Sequence, residues 1–262
     1  MSDLDVSPWE ATVIPATDAP PAHFVIDQGV AIYAFPHAWS EQPVDLGATF
    51  HLACAGRVLL FEQAWPAVAA GWNTALGANA WFFDWEFWPP EGLPPAPWGL
   101  NVPPAGAMQL PPAVAFGNTD AAWACSIDLR AGGGAATAVT YSAPASPVPR
   151  PDSAAWVTQQ TIPLTGLAFS ATEHVVIGGN QATSAGWPTV WRGRIYWVEM
   201  RSGLVPGQGA LLWRFDASEY PGGNVATWTD PRGRVWKREL SGGARPVPGV
   251  PTQLRATVLP PG

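Results

Sequence analysis

Residues 121–143 read AAWACSIDLRAGGGAATAVTYSA. Trp123, Cys125, Ile127 and Leu129 alternate with Ala124, Ser126, Asp128 and Arg130. A period of two is that of a strand with one face in a core. Ala131-Gly132-Gly133-Gly134-Ala135 interrupts the alternation as a turn. Residues 136–143 then return as the hairpin partner. AGGGA is not a phosphate loop, because no Gly-Lys-Ser/Thr follows it and no strand-to-helix transition frames it.

The same period recurs on both sides of this hairpin. HFVIDQGVAIYAF (23–35) gives two short runs joined at Asp27-Gln28-Gly29. ATFHLACAGRVLLFEQ (48–63) puts Phe50, Leu52 and Cys54 on one face, with a turn expected near Ala55-Gly56. NAWFFDWEFW (79–88) sets Trp81, Phe83, Trp85 and Phe87 against Phe82, Asp84, Glu86 and Trp88. Residues 89–112 carry too many prolines for a helix or a central strand, so a long connection is expected with one short strand near Trp98–Val102. Further strands are expected over 154–164, 173–179, 193–203, 209–218, 224–231 and 233–240. Asp230-Pro231-Arg232-Gly233 suits a tight turn between the last two. Roughly twelve to fourteen short strands with frequent turn signals predict an all-β, two-sheet sandwich or jelly roll. The boundaries expected are an extended N-terminal arm over 1–22, one sandwich over 23–240 and an extended Pro/Gly-rich C-terminal arm over 241–262.

Composition narrows the function. Net charge is −7 and 13% of residues are charged, with one lysine, Lys237. Nucleic acid is an unsuitable partner for such a surface, since phosphate binding needs clustered Lys and Arg. No apolar run approaches the length of a membrane span, and MSDLDVSPWEATVIP has neither the basic nor the apolar region of a signal peptide. Cys54 and Cys125 both fall among apolar neighbours and read as two separate buried thiols, although a disulfide is not excluded by sequence. The four histidines, His23, His37, His51 and His174, have no metal-ligand spacing.

AWFFDWEFWPP (80–90) packs six aromatics and two carboxylates together. One face, led by Trp81 and Phe83, reads as core. The other could stack a sugar or meet another protein, which makes Asp84, Glu86 and Trp88 candidate glycan-binding residues. Trp187 and Trp191 lie in or beside loops, where binding residues concentrate, and join them. Those rings equally suit a plug at the end of the sandwich or a subunit contact. No nucleophile elbow or Cys–His pairing is apparent, so no catalytic residue is assigned.

Several blocks resemble a known family: AGWNTALGANAWFFDWEF (70–87), AWACSIDLRAGGGAATAVTYSA (122–143), EHVVIGGNQATSAGWPTVWRGRIYWVEMRSG (173–203), LLWRFDASEY (211–220) and ATWTDPRGRVWKREL (226–240). They resemble the laminin G-like (concanavalin A-like) jelly roll found in minor tail proteins of actinobacterial tailed phages, most clearly over 70–240. The block VWRGRIYWVEMRSG (190–203) looks like the closing strand of that family. Simple alternation there would group Ile195, Trp197 and Glu199 on one face and Tyr196, Val198 and Met200 on the other, as in an interior strand. The Pro-rich 89–112 departs from the short hairpin usual in the family.

The resemblance implies a non-enzymatic virion protein, minor tail or surface-decorating, that acts in assembly or in adhesion to host glycan. It would be assembled in the host cytoplasm and reside in the virion. Termini of this composition rarely order alone, so the arms are expected to lie on other virion proteins, with homo-oligomers expected as well. Related domains can hold one calcium ion at the rim. Asp120, Asp128 and Asn180 are candidates, but no tight motif joins them, and no other cofactor is expected. A jelly-roll glycoside hydrolase and a free-standing carbohydrate-binding module are the alternatives. The hydrolase pattern is Glu-x-Asp-x-x-Glu, and Phe82 stands where its first Glu belongs.

Overall fold

A computed structural model describes residues 23–27, 38–58, 67–73, 78–85, 98–102, 106–109, 121–143, 150–178, 193–221, 225–238 and 255–259. Sixteen strands lie among the described residues. In chain order they are β1 (His23–Asp27), β2 (Ala38–Ser40), β3 (Thr49–Val58), β4 (Ala67–Asn73), β5 (Ala78–Trp85) and β6 (Trp98–Val102). There follow β7 (Gly106–Gln109), β8 (Ala121–Gly132), β9 (Ala135–Ala143), β10 (Val157–Leu164) and β11 (His174–Ile177). The last five are β12 (Gly193–Ser202), β13 (Leu211–Asp216), β14 (Thr227–Thr229), β15 (Val235–Arg238) and β16 (Arg255–Leu259). A 3₁₀ turn, Ala217–Glu219, follows β13.

Every strand pairing is antiparallel. Sheet A runs β10-β9-β8-β3-β12-β1-β16, with β13 also on β12; sheet B runs β14-β15-β2-β11-β4-β5-β6-β7. The chain crosses repeatedly from one sheet to the other, as a two-sheet jelly roll requires. The described core is interlayer: Phe50, Leu52 and Cys54 of β3, with Trp123, Cys125 and Ile127 of β8, meet Val68 of β4, Trp81 and Phe83 of β5 and Val175 and Ile177 of β11. Each fully buried indole removes about 150–250 Å² from water, roughly 4–6 kcal/mol of transfer free energy at ~25 cal/mol/Å². Trp81, Trp197, Trp213 and Trp236 are buried in this way, so aromatic burial outweighs any single hydrogen bond in the fold.

The turn chemistry follows the sequence. Asp230 Oδ1 accepts from the Arg232 and Arg234 backbone N–H groups at 2.8 and 3.0 Å, and Gly233 takes a φ of 86°. Trp236 Nε1 donates to Asp230 Oδ2 at 3.2 Å, which ties the turn to the core. Gly132, Gly133 and Gly134 all have positive φ, which is why the β8–β9 hairpin needs a glycine run. Both cysteines are free and buried. Burial pushes the Cys125 thiol up to about 12 and Cys54 well above its ordinary value, so both stay protonated.

Four details differ from simple alternation. The expected turn at Ala55-Gly56 is absent: β3 runs straight through it, and Gly56 pairs with Ala121 and Ile195. On β12, Ile195 pairs with Gly56 and Trp197 with Ala55, so Tyr196 is an extra residue in a β-bulge. The bulge turns Tyr196, Trp197 and Glu199 to the outer face and Ile195, Val198 and Met200 to the core, so Ile195 and Tyr196 exchange sides relative to the period-two grouping while Trp197 with Glu199 and Val198 with Met200 keep theirs. The Pro-rich stretch contains the expected β6 and also β7, which pair as a hairpin. Residues 255–259, within the segment read as a C-terminal arm, form β16 against β1; Ala256-Thr257-Val258-Leu259 suits a strand.

Gly71 of β4 is held by packing. A Cβ there would lie 2.4 Å from Trp81 Nε1 and 2.8 Å from Thr172 Cγ2, the two side chains joined by the 2.8 Å bond from Trp81 Nε1 to Thr172 Oγ1. Gly71→Ala is therefore expected to lower the unfolding free energy by about 1–3 kcal/mol, read as a lower urea midpoint at an unchanged slope.

Candidate functional site

Each sheet has an outer face, and the two are built differently. On sheet A, four alanines line up across the strands: Ala53 and Ala55 of β3, Ala122 and Ala124 of β8. Their small side chains make a shallow trough, walled by Tyr196 and Trp197 on one side and by Tyr141 and Ala143 on the other. All four alanines are buried. Trp156 packs against this cluster, and its Nε1 donates to the Pro151 carbonyl at 3.0 Å. Arg150 pairs with Asp216 at the end of β13. Residues 150–156 thus form a strap over the sheet.

A second segment, 203–210, covers the rest. His51 Nδ1 lies 3.1 Å from the Gly203 carbonyl, and the Gly207 N–H donates to His51 Nε2 at 3.2 Å. Tyr141 Oη donates to the Leu204 carbonyl at 3.1 Å. Beside them Glu199, with no exposure, is held by Arg201 Nε at 2.8 Å and by Arg214 at 2.7 Å. Arg201 also donates to the Gly209 carbonyl at 3.1 Å. Both His51 nitrogens and both Glu199 oxygens are engaged, and the strap lies on the alanine trough through Trp156.

Sheet B differs. Register places Thr227, Lys237, Trp39 and Val176 in one row, continued by Ala70, Phe82, Asn101 and Ala107. That row crosses all eight strands, from β14 to β7. Trp39 packs on Ala70 and Val176 and hydrogen bonds to Glu41. Lys237 Nζ lies 2.6 Å from Glu41 Oε2, and the two side chains are 36% and 52% exposed. The Lys237 hydrogen bond, with lesser help from Trp39 and His174, holds the Glu41 carboxyl below its ordinary value. An indole backed by aliphatic side chains, with an exposed carboxylate and ammonium at its edge, can stack on a sugar ring and bond to its hydroxyls.

Asp84 lies in β5, an interior strand of sheet B, between Ala67 and Gly99. Trp81 and Phe83 are in the core, so strand alternation puts positions 82 and 84 on the outer face, the face of Trp39. From Trp39 to Phe82 is three strand spacings, roughly 14 Å at about 4.8 Å each. Next to position 84, β6 and β7 supply Gly99 and Gln109. The backbone of Asp84 is described; Glu86, Trp88, Trp187 and Trp191 lie outside the described residues, as do Asp120 and Asn180. Asp128 is bound by its neighbour: Arg130 Nε donates to Oδ1 at 2.9 Å and its carboxyl is lowered to about 2 by the Arg130 guanidinium. Among the described residues no cluster of three metal-ligating side chains occurs.

Trp39, Glu41 and Lys237 were not singled out from sequence. Trp39-Ser40-Glu41 alternates, which is a strand signal. Lys237 lies 196 positions from Glu41, and only the β15–β2 pairing joins them.

The sequence matches no protein-family model and no curated protein. Among solved structures, the native heptameric SAP-like pentraxin from Limulus polyphemus is similar in shape. Its TM-score is 0.49 and its identity 12%, over 73% of this chain and 79% of that one. The jelly-roll assignment rests on the strand order, not on that likeness.

The contrast between the two faces is measurable. Glu199→Ala strands two arginines on a closed face and is expected to cost about 3–5 kcal/mol. Glu41→Ala breaks an exposed pair and is expected to cost about 1 kcal/mol or less. Chemical denaturation of the two variants compares them directly.

Proposed function

We propose that the chain is a non-enzymatic adhesion protein of a phage virion, minor tail or surface-decorating, and that the outer face of sheet B contacts host cell-wall glycan. One observation carries the glycan reading: sheet A's outer face is closed by the strap and the 203–210 segment, while sheet B carries a part-exposed indole with an exposed ion pair at its edge. Position 84 and the amide positions 101 and 109 share that face, and small residues flank them. An indole with a carboxylate and an ammonium at its edge suits a neutral or amino sugar, through stacking on the ring and hydrogen bonds to its hydroxyls. The virion setting, and assembly through the terminal segments, come from the sequence resemblance.

The hydrolase alternative has less support. A retaining glycosidase needs two carboxyls about 5–5.5 Å apart. The strand neighbours of position 84 are Ala67 and Gly99, and those of position 82 are Ala70 and Asn101. Among the described residues none of these is an acid.

The test is co-sedimentation of the purified protein with actinobacterial cell walls. Trp39→Ala and Asp84→Ala are each expected to weaken binding about tenfold, equivalent to about 1.4 kcal/mol. Val157→Ala, at the exposed start of β10, should leave binding unchanged. Release of new reducing ends from the walls would favour the hydrolase. Absence of binding by the wild-type protein would remove adhesion by the isolated chain.

A further inference from the structure

We propose that His51 is a latch that holds the cover of sheet A closed at neutral pH and releases it in acid. The imidazole is fully buried on β3, in one cross-strand row with Arg201 of β12 and Ser126 of β8. Both of its nitrogens are used by the 203–210 segment. A ring that donates from Nδ1 to the Gly203 carbonyl and accepts at Nε2 from the Gly207 N–H fits one protonation state, the neutral Nδ1–H tautomer. A second proton would set Nε2–H against the Gly207 N–H, two donors facing each other with no acceptor between them.

The groups around His51 offer the cation little relief. On β12, Glu199 is near, but its two oxygens are taken by Arg201 and by Arg214 of β13. Arg201 itself is the cross-strand neighbour of His51 and repels an imidazolium. From β8 and β9 come the hydroxyls of Ser126 and Tyr141, and Asp128, two residues beyond Ser126 on the same face of β8, is taken by Arg130. On the strap, Arg150 is paired with Asp216, and Asp152 is exposed to water. Burial, the largest influence, pushes the imidazole below its ordinary range. The sign follows. Above the ordinary histidine pKa both folded and unfolded states are neutral; as pH falls below it, the unfolded or opened state takes the proton first and the closed state loses stability.

The part set free is defined by the remaining ties. Gly203 N–H bonds to the Thr49 carbonyl at 2.9 Å, Tyr141 holds Leu204, and Ser202 Oγ accepts from Ala210 N–H at 3.0 Å. The ends therefore stay anchored, and Gly207, in the turn closed by the Gln208 N–H to Val205 carbonyl bond, loses its tie to β3. Gly207, at φ 79°, abuts the strap so closely that a Cβ would lie 2.2 Å from the Pro151 carbonyl oxygen. Lifting Gly207 thus loosens the strap and opens the alanine trough beneath Trp156.

Amide hydrogen exchange of the full chain, at neutral pH and at about pH 5, tests this after correction for intrinsic exchange rates. In the wild-type protein, peptides over 203–210 and 150–156 are expected to exchange about tenfold faster in acid, equivalent to about 1.4 kcal/mol of lost closure, while β3 and β8 stay protected. His51→Gln cannot titrate and should abolish the acid response of both segments. Equal protection at both pH values, or an unchanged response in His51→Gln, would overturn the latch. Should that variant not fold, ¹⁵N spectra of the wild-type ring decide: the Nδ1–H tautomer at neutral pH, titrating in step with opening, supports the latch, and opening with a ring that stays neutral refutes it.

Discussion

The β-bulge at Tyr196 is the constraint on which the rest of this sandwich depends. β12 is hydrogen bonded along one edge to β3 and along the other to β1 and then β13. Its side-chain facing therefore sets the facing of three neighbours. The extra residue sends Trp197 out and brings Val198 and Met200 into the core. It also puts Glu199 on the outer face, where Arg201 and Arg214 reach it from the same strand and the next. An unbulged β12 would drive Glu199 into an interlayer core with Trp213, Phe215 and Cys54, away from Arg201 and Arg214, where a buried carboxylate is costly.

From this follows a division of labour between the outer faces. Sheet A hides a small-residue trough and a saturated polar network under two short segments. The energetics there are those of buried charge, favourable only because every acceptor has its donor. On sheet B a row of residues crosses eight strands, with the exposed Glu41–Lys237 pair beside Trp39. Being exposed, that ion pair adds little stability. Among the described residues, Trp81, Trp123, Trp213, Trp228 and Trp236 lie in the core between the sheets, and Trp39 lies on the outer face of sheet B.

Much of the fold was legible in sequence because it rests on local physics. AAWACSIDLR alternates, so Trp123, Cys125 and Ile127 could be assigned to a core from spacing alone. Asp230-Pro231-Arg232-Gly233 names its own turn, because the aspartate caps the backbone and the glycine takes the positive φ. Apolar neighbours pointed to two separate buried thiols, and the structure has both cysteines free and buried. The bulge was not legible, since Arg-Ile-Tyr-Trp-Val-Glu-Met fits either phase and only pairing with β3 chooses one. β2 and β7 are too short, three and four residues, for a period to declare itself.

By itself, then, the sequence determined the all-β class, the strand hairpins with glycine or Asp-Pro turns, and the inward side of β3, β5 and β8, because these depend on alternation and turn stereochemistry within a few residues. Only the tertiary structure decided the bulge, the closure of one outer face by distant loops, and the meetings of His51 with Gly207 and of Glu41 with Lys237. Those contacts join residues 156 and 196 positions apart. No local pattern encodes them, because they exist only once the sheets have set which strands are neighbours.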